Sequence, residues 1–358
     1  MPKKRKTLPK DFSDILKRGN IDELIAVFEK CELDAYGGYG KQTALGFTEC
    51  PPEFDKWLVG QGLDIEAVND YGYTPLQHRS EYWAANIKSL LELGASVHAN
   101  NKKGTALHCA AKGYVAEHVK TLLEYGADVN APAPEPFSYG GSGATATPLE
   151  YSLAFCGNSD IVNTVEIARM LLAAGALKTE KMKDLVTKIG IQFEHHRSGF
   201  NKEYVQEYSD ALDELYVLFG VTPVPQKVLH DGKSKITVKA GTWQKQFNEL
   251  WELLIPSSGT AQTMQGEVIR IAGRISDELK RNGGINWDDD YKVMADSFLE
   301  FIQTGQSLSR EEIDETAKIV SEVKRRTDKN VNRLAHIAVL WVLANPIPVP
   351  APAVNYDR

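Results

Sequence analysis

Side chains that could do chemistry cluster in few places along this chain of 358 residues. His108 ends the segment Thr-Ala-Leu-His, residues 194–196 read Glu-His-His, and residues 288–290 are all Asp. A zinc site on one helix needs His-Glu-x-x-His spacing, and a calcium loop needs acidic residues at alternate positions with a Gly at the sixth. Neither spacing is met. We therefore predict no metal site and no cofactor, and expect the aspartates to favour a helix N-terminus.

One stretch, residues 263–274, could form a polar pocket. Its sequence, TMQGEVIRIAGR, places charged residues on one helix face and apolar residues on the other. The simpler interpretation is a solvated face with ion pairs three or four residues apart. The alternative is a pocket for a small polar ligand or a partner side chain. Its predicted members are Gln265, Glu267, Arg270, Trp287 and Asp288.

Composition narrows the function classes. The net charge of −7 argues against a general nucleic-acid binder, and no apolar run has the length of a membrane span. The four cysteines are scattered without a C-x-x-C pair, which is typical of reduced thiols in a cytosol. No glycine-rich phosphate loop, nucleophile elbow or kinase signature is present. We predict a cytoplasmic protein that is not an enzyme and binds neither nucleic acid nor membrane.

A repeat of about 32 residues organises the first half of the chain. Thr-x-Leu segments begin at residues 43, 74, 105 and 147, and closing glycines stand at 62, 94, 126 and 175. The unit at 105–131, TALHCAAKGYVAEHVKTLLEYGADVNA, predicts two short helices, the second with an apolar stripe and a terminating glycine. One such pair cannot bury both of its faces, so copies must stack. This unit resembles the ankyrin-repeat family over residues 12–178, with a diverged cap to about 222.

The resemblance implies an all-α ankyrin-repeat solenoid, in which helix-turn-helix units stack and project turn fingers. It also implies that His108 links neighbouring loops through hydrogen bonds. Partners of such proteins usually bind the fingers and the concave face formed by the first helices. Carried onto this chain, the predicted partner-binding residues are Tyr36, Tyr39, Lys41, Asp70, Tyr71, Tyr73, His78, Arg79, Tyr82, Trp83, Asn101, Lys102, Lys103, Phe137 and Tyr139. The last two belong to a long finger over residues 132–146.

The remaining segments complete the domain prediction. Residues 1–11 read as a disordered basic tail. Within it, residues 1–6, MPKKRK, could alternatively be a nuclear-import signal. Residues 12–222 form the array, 223–242 a linker or a hairpin turning at Asp231-Gly232, and 243–345 a separate helical bundle around the apolar helix VNRLAHIAVLWVLAN. Residues 346–358 read as a Pro-rich tail that is either extended as polyproline II or disordered.

Three functions follow as hypotheses. The first is a non-catalytic scaffold that binds a protein partner, with a bacterial immunity, antitoxin-like or effector-binding protein as the candidate role. The net charge of −7 would suit a basic partner through electrostatic steering. The second is an enzyme or small-ligand sensor whose site lies in the C-terminal helical domain. The third is a nuclear adaptor, which rests on the basic N-terminus alone.

Overall fold

A computed structural model describes residues 3–136, 144–256 and 259–357. Helices account for 54% of the chain and strands for 6%, which confirms a mainly α-helical protein. The chain divides into two compact units. The array unit comprises residues 1–193 and 202–224, and the bundle unit comprises residues 194–201 and 225–358. No helix among the described residues is both long and apolar enough to cross a lipid bilayer.

The array unit consists of stacked helix pairs. Its helices are α1 (Phe12–Arg18), α2 (Ile21–Lys30), α3 (Pro52–Gly60), α4 (Pro75–Ser80), α5 (Lys88–Glu92), α6 (Ala106–Lys112), α7 (Ala116–Glu124), α8 (Pro148–Phe155), α9 (Ile161–Ala173), α10 (Glu180–His196) and α11 (Val205–Phe219). A 3-10 turn at Ala44–Gly46 replaces the first helix of the first repeat. The four closing glycines have φ between +81° and +98°, a region that strongly favours glycine, so the predicted helix ends are confirmed.

Short strands form the fingers. Strand β2 (Cys31–Gly37) pairs antiparallel with β3 (Gln42–Thr43), and β4 (Ala133–Pro134) pairs with β5 (Thr145–Ala146) at the base of the long finger. Neighbouring fingers are joined by backbone and side-chain hydrogen bonds. The Asp70 N–H donates to the Gly40 carbonyl at 2.8 Å, and the Asn101 amide donates to the Gly72 carbonyl at 2.8 Å. These bonds hold successive fingers at fixed spacing.

The N-terminal segment differs from the predicted disordered tail. Strand β1 (Arg5–Thr7) pairs in parallel with β2. Leu8 is buried and its N–H donates to the Tyr36 carbonyl at 2.9 Å, while the Lys4 ammonium donates to the Phe28 carbonyl at 2.7 Å. The physical reason for order is therefore the burial of Leu8 beside a strand edge that offers free carbonyls.

Five α-helices make up the described core of the bundle unit, with a π-helical turn at Asp277–Arg281. They are α12 (Trp243–Leu254), α13 (Met264–Ser276), α14 (Asp289–Phe301), α15 (Arg310–Val323) and α16 (Val331–Ala344). Helix α16 packs against α12, α13 and α15 and buries eight of its fourteen residues. This is the central buried helix that its apolar sequence predicts.

The segment before α12 does not form the hairpin that was considered for it. The described residues 221–242 contain no strand. The Asp231 carboxylate accepts from the Lys233 and Ser234 N–H groups at 2.8 Å, so the local turn exists. The backbone on either side of that turn bonds elsewhere, because the His230 N–H donates to the Leu253 carbonyl and the Ile236 N–H to the Pro346 carbonyl.

Candidate partner-binding surface

The first two fingers carry a pair of exposed aromatic side chains. Tyr39 and Tyr71 lie with ring centroids 5.6 Å apart, and the Tyr39 side chain is 89% exposed. Beside them, the Lys41 ammonium pairs with the Asp70 carboxylate at 2.8 Å. Stacking of fixed fingers therefore places two tyrosines and one ion pair side by side at the finger tips, as the sequence predicted for these residues.

The exposed side of the first helices continues this surface. Counting from each Thr-x-Leu start, the fourth and eighth residues are His78 and Tyr82 in the second repeat and Tyr151 and Phe155 in the fourth. The His78 ring lies 6.3 Å from the Tyr73 ring and 5.2 Å from the Tyr82 ring. Burial lowers the pKa of His78 below its ordinary value, so this aromatic row is uncharged at neutral pH.

A cleft of about 230 Å³ opens on the same side, between the second, third and fourth repeats. It is lined by Tyr73, Lys102, Lys103, His108, Cys109, Lys112, Pro134, Glu135, Tyr151 and Phe155. The Lys103 ammonium lies 5.3 Å from the centre of the Tyr73 ring, and the Lys112 ammonium lies 5.3 Å from the centre of the Phe155 ring. Such cation–π contacts hold lysine side chains against aromatic walls. We define the finger–groove surface as the fingers at 37–43, 67–73 and 99–104, the exposed side of α4, α6 and α8, and this cleft. It also includes Tyr82 and Trp83 in the turn that follows α4.

Arg79 is not part of that surface, contrary to the prediction. Its side chain is fully buried and forms two hydrogen bonds to the Asp55 carboxylate, at 2.7 and 2.8 Å. Ser89 donates a third hydrogen bond to the same carboxylate at 2.5 Å. The physical reason is position: the fifth residue after each Thr faces the interior, and its counterparts Ala110 and Ser152 are also fully buried.

The Asn101 side chain also forms hydrogen bonds within the array. Its amide donates to the Gly72 carbonyl and to the Gln77 side chain at 2.8 Å, and its oxygen accepts from the Lys103 N–H at 2.8 Å. These bonds fix the third finger, so Asn101 positions the finger that carries Lys102 and Lys103. Phe137 and Tyr139 lie outside the described residues.

The other predicted residues lie on or beside the finger–groove surface. Tyr36 is at the edge of the first finger and is partly exposed, and Lys102 is exposed in the third. Trp83 is 85% exposed in the turn that follows α4, one helix length from the finger rather than within the groove. The structure thus brings most of the predicted tyrosines and lysines together and places the tryptophan at the far end.

The predicted polar pocket in the bundle unit is filled by the chain's own C-terminal segment. The Gln265 side chain donates to the Asn345 and Ile347 carbonyls at 2.9 and 2.7 Å and accepts from the Val349 N–H at 3.0 Å. The Tyr356 hydroxyl donates to the Glu267 carboxylate at 2.7 Å. The segment that the sequence predicts to be extended or disordered is therefore extended and bound.

Glu267 and Arg270 form a buried ion pair beneath that segment. The guanidinium of Arg270 donates to both Glu267 oxygens at 2.7 and 2.9 Å, and the Tyr356 ring lies over it at 5.6 Å. Burial opposes the charged form of Glu267, but hydrogen bonds from Arg270 and Tyr356 outweigh it and lower the pKa of Glu267. These groups satisfy one another, which explains why a charged pair is tolerated in the interior.

Trp287 and Asp288 do not complete a ligand pocket. The Trp287 ring is buried and stacks on Tyr291 with centroids 4.9 Å apart. Asp288 accepts from the Tyr291 N–H at 3.3 Å as the N-cap of α14, which agrees with the helix-terminus interpretation of this acidic run. Among the described residues, no group of three His, Cys, Asp or Glu side chains could hold a metal ion.

Four functional candidates were missed from the sequence. Glu81, Lys112, Tyr151 and Phe155 line or border the cleft, and each comes from a first helix or its end. Aligning the repeats on their threonines provides the signal that was not used, because Tyr151 and Phe155 occupy the same positions as His78 and Tyr82.

Comparison with known proteins identifies the repeats. The family description "Ankyrin repeats (3 copies)" matches residues 49–133. These residues are ankyrin repeats. An ankyrin repeat domain from Acinetobacter baumannii AYE is similar to this chain at 20% identity, over 58% of this chain and 97% of that one, with a TM-score of 0.37. No curated protein matches the chain.

Proposed function

We propose that this chain is a non-catalytic scaffold that binds a protein partner through the finger–groove surface. Ankyrin repeats generally mediate protein–protein interaction and are typically not enzymes. The observation that carries the proposal is the concentration of exposed aromatic side chains on one stretch of the array. Tyr36, Tyr39, Tyr71, Tyr82 and Trp83 are all exposed there, whereas the other exposed Tyr or Trp side chains among the described residues are Tyr125 and Tyr204. Tyrosine and tryptophan dominate binding energy when a partner buries them.

The fixed geometry of the fingers supports a binding role. Hydrogen bonds between adjacent fingers pre-organise the aromatic groups, so little conformational entropy is lost when a partner binds. The geometry of the fingers supports protein binding but does not identify the partner. An immunity, antitoxin-like or effector-binding role remains our working proposal, since it requires only an acidic scaffold with one adhesive face.

The alternative functions have less support. A small-ligand sensor in the bundle unit would need the predicted pocket, whose Gln265 and Glu267 side chains are bonded to the C-terminal segment. A nuclear adaptor would need a free basic N-terminus, yet Lys4 bonds to the Phe28 carbonyl. Neither observation favours these roles over the scaffold.

Affinity purification of the tagged full chain from its native host, followed by mass spectrometry, tests the proposal. We expect a stoichiometric protein partner that the variant Tyr39→Ala/Tyr82→Ala/Trp83→Ala no longer retains. These side chains are exposed, so circular dichroism should be unchanged. The matched control Tyr125→Ala/Tyr204→Ala removes exposed aromatics elsewhere on the array and should retain the partner. Equal retention by all three proteins would refute the assignment of this surface.

A further inference from the structure

The cleft in the finger–groove surface carries unbalanced positive charge. Lys112 is paired with Glu81 at 2.8 Å, and Glu135 is paired with Lys181. None of the ion pairs among the described residues involves Lys102 or Lys103. The binding surface therefore differs in sign from the whole chain, whose net charge is −7. Local recognition depends on the groups in contact, so this cleft favours a negative group of the partner.

The aromatic walls of the cleft favour an apolar side chain of the partner next to its negative group. Tyr73, Tyr151 and Phe155 contribute aromatic surface, and the His108 and Tyr151 rings pack edge to face with centroids 4.8 Å apart. Burial lowers the pKa of His108 to about 4, so the ring adds no charge at neutral pH. The positive charge without a carboxylate partner is thus carried by Lys102 and Lys103, beside the aromatic walls.

The size of the cleft decides between a small molecule and a side chain. Pockets for cofactors and drug-sized ligands usually span roughly 300–1,000 Å³. A cleft of about 230 Å³ lies below that range and suits one or two side chains of a bound polypeptide. Cys109 in the wall does not add reactivity, because burial raises the pKa of its thiol to about 12.

We propose that this cleft anchors an acidic segment of the protein partner. A carboxylate of that segment lies between Lys102 and Lys103, and an adjacent apolar or aromatic side chain packs on Tyr151 and Phe155. The inference rests on the proposed scaffold function and specifies its partner chemistry. It replaces the basic partner expected from net charge, because charge summed over the chain governs approach at long range and not the contact itself.

Selection of short random peptides displayed on phage against the full chain tests this inference. We expect enrichment of sequences with Asp or Glu next to an aromatic or aliphatic residue. Three synthetic forms of an enriched peptide are then compared: one with both ends blocked, one with Gln in place of the acidic residue, and one whose only carboxylate is its free C-terminus. They show whether the cleft binds a side-chain carboxylate or a chain terminus. The Gln peptide should bind about tenfold more weakly than its acidic parent, and added salt should weaken the parent.

Charge reversal supplies the matched control. The variant Lys102→Glu/Lys103→Glu should weaken the acidic peptide by about tenfold or more. The variant Lys56→Glu/Lys120→Glu makes the same change in net charge at exposed lysines of α3 and α7 and should leave binding unchanged. Folding of both variants is checked by circular dichroism, which both should pass because the four side chains are exposed or half-buried.

Several results would overturn the inference. They are enrichment of basic or uncharged peptides, no enrichment at all, equal weakening by both charge-reversal variants, or binding of single-stranded DNA in preference to peptides. Failure here is distinguishable from failure of the proposed function. If the partner purified from the host is lost with Tyr39→Ala/Tyr82→Ala/Trp83→Ala but kept with Lys102→Glu/Lys103→Glu, the scaffold function stands and the acidic anchor is wrong.

Discussion

At the scale of single residues, three different side chains form the same hydrogen bond to the backbone in successive repeats. Gln77, His108 and Glu150 each stand three residues after the threonine that begins a repeat, and each accepts a hydrogen bond from that threonine's N–H. Each also bonds beyond its own repeat start: Gln77 to the Gly104 carbonyl at 2.6 Å, His108 to the Ala146 carbonyl at 3.2 Å, and Glu150 to the Thr179 hydroxyl at 2.9 Å. The histidine is structural, as the resemblance implied.

This equivalence gives a pH prediction for His108. The pKa of His108 in the folded chain is about 4, against an ordinary histidine pKa of 6.5, so the unfolded chain binds more protons between these values. Stability from this residue is therefore complete above pH 6.5 and lost as pH falls towards 4, by roughly 3 kcal/mol. His108→Gln keeps both bonds and does not titrate. Between pH 6.5 and 4, the free energy of unfolding measured in urea should fall less for His108→Gln than for the parent. The exposed control His98→Gln should show the same pH dependence as the parent. Parallel curves for parent and His108→Gln would be inconsistent with this.

The buried pair of Asp55 and Arg79 gives a second prediction. Arg79→Met leaves a fully buried carboxylate with Ser89 as its remaining side-chain donor, which should cost about 3–5 kcal/mol of unfolding free energy. The double variant Asp55→Leu/Arg79→Met removes both charges and should recover most of that loss. Chemical denaturation of the three proteins measures this coupling. Strictly additive losses would show that the ion pair is not a unit.

At the scale of elements, the second and third repeats can pack closely because residue 113 is a glycine. A Cβ on Gly113, at the end of α6, would lie 2.5 Å from the Glu81 carbonyl oxygen of the preceding repeat. Backbone atoms cannot rotate aside, so Gly113→Ala should push the two repeats apart and destabilise the array by about 1–3 kcal/mol. Gly60→Ala, where nothing lies within 4 Å of the added methyl, is the control. Equal unfolding midpoints in urea would contradict the packing described.

The C-terminal segment gives the corresponding prediction for the bundle unit. Tyr356→Phe removes a donor to the buried Glu267 carboxylate and should cost about 1–3 kcal/mol. The same loss should raise the pKa of Glu267, because the tyrosine hydroxyl stabilises its charged form. Asn355→Ala, an exposed neighbour, should leave stability unchanged. Thermal unfolding of the three proteins decides the matter, and an unaffected Tyr356→Phe would mean that the segment is not held through its tyrosine.

Elements were predicted well where one local pattern determines them. The repeat spacing, the closing glycines and the apolar α16 all act within one segment and its neighbour, so the array and the central helix could be read from sequence. The order of β1 and the binding of residues 345–357 depend on partners far along the chain, Tyr36 and Gln265 among them. Arg79 was misplaced for a different reason: its position five residues after Thr74 faces the interior, as it does in the third and fourth repeats, and its charge is accepted there because Asp55, 24 residues away, pairs with it.

At the scale of the whole molecule, the net charge of the chain differs in sign from the local charge at the cleft. The chain carries −7, yet Lys102 and Lys103 line the cleft and take part in none of the ion pairs among the described residues. Composition sums over every surface, whereas stacking brings a few residues from three repeats to one place. The tyrosines of the fingers could be predicted because the repeat fixes their direction. The cleft could not, because Tyr151, Phe155 and Lys112 meet only through stacking.

The central claim is that the partner lies on the finger–groove surface. Hydrogen–deuterium exchange of the chain, alone and in the purified complex, tests it most directly. We predict slower exchange on binding in the fingers 37–43, 67–73 and 99–104 and in α4, α6 and α8, with the second helices α5, α7 and α9 unchanged. Protection concentrated on those second helices, or confined to residues 243–357, would contradict the account.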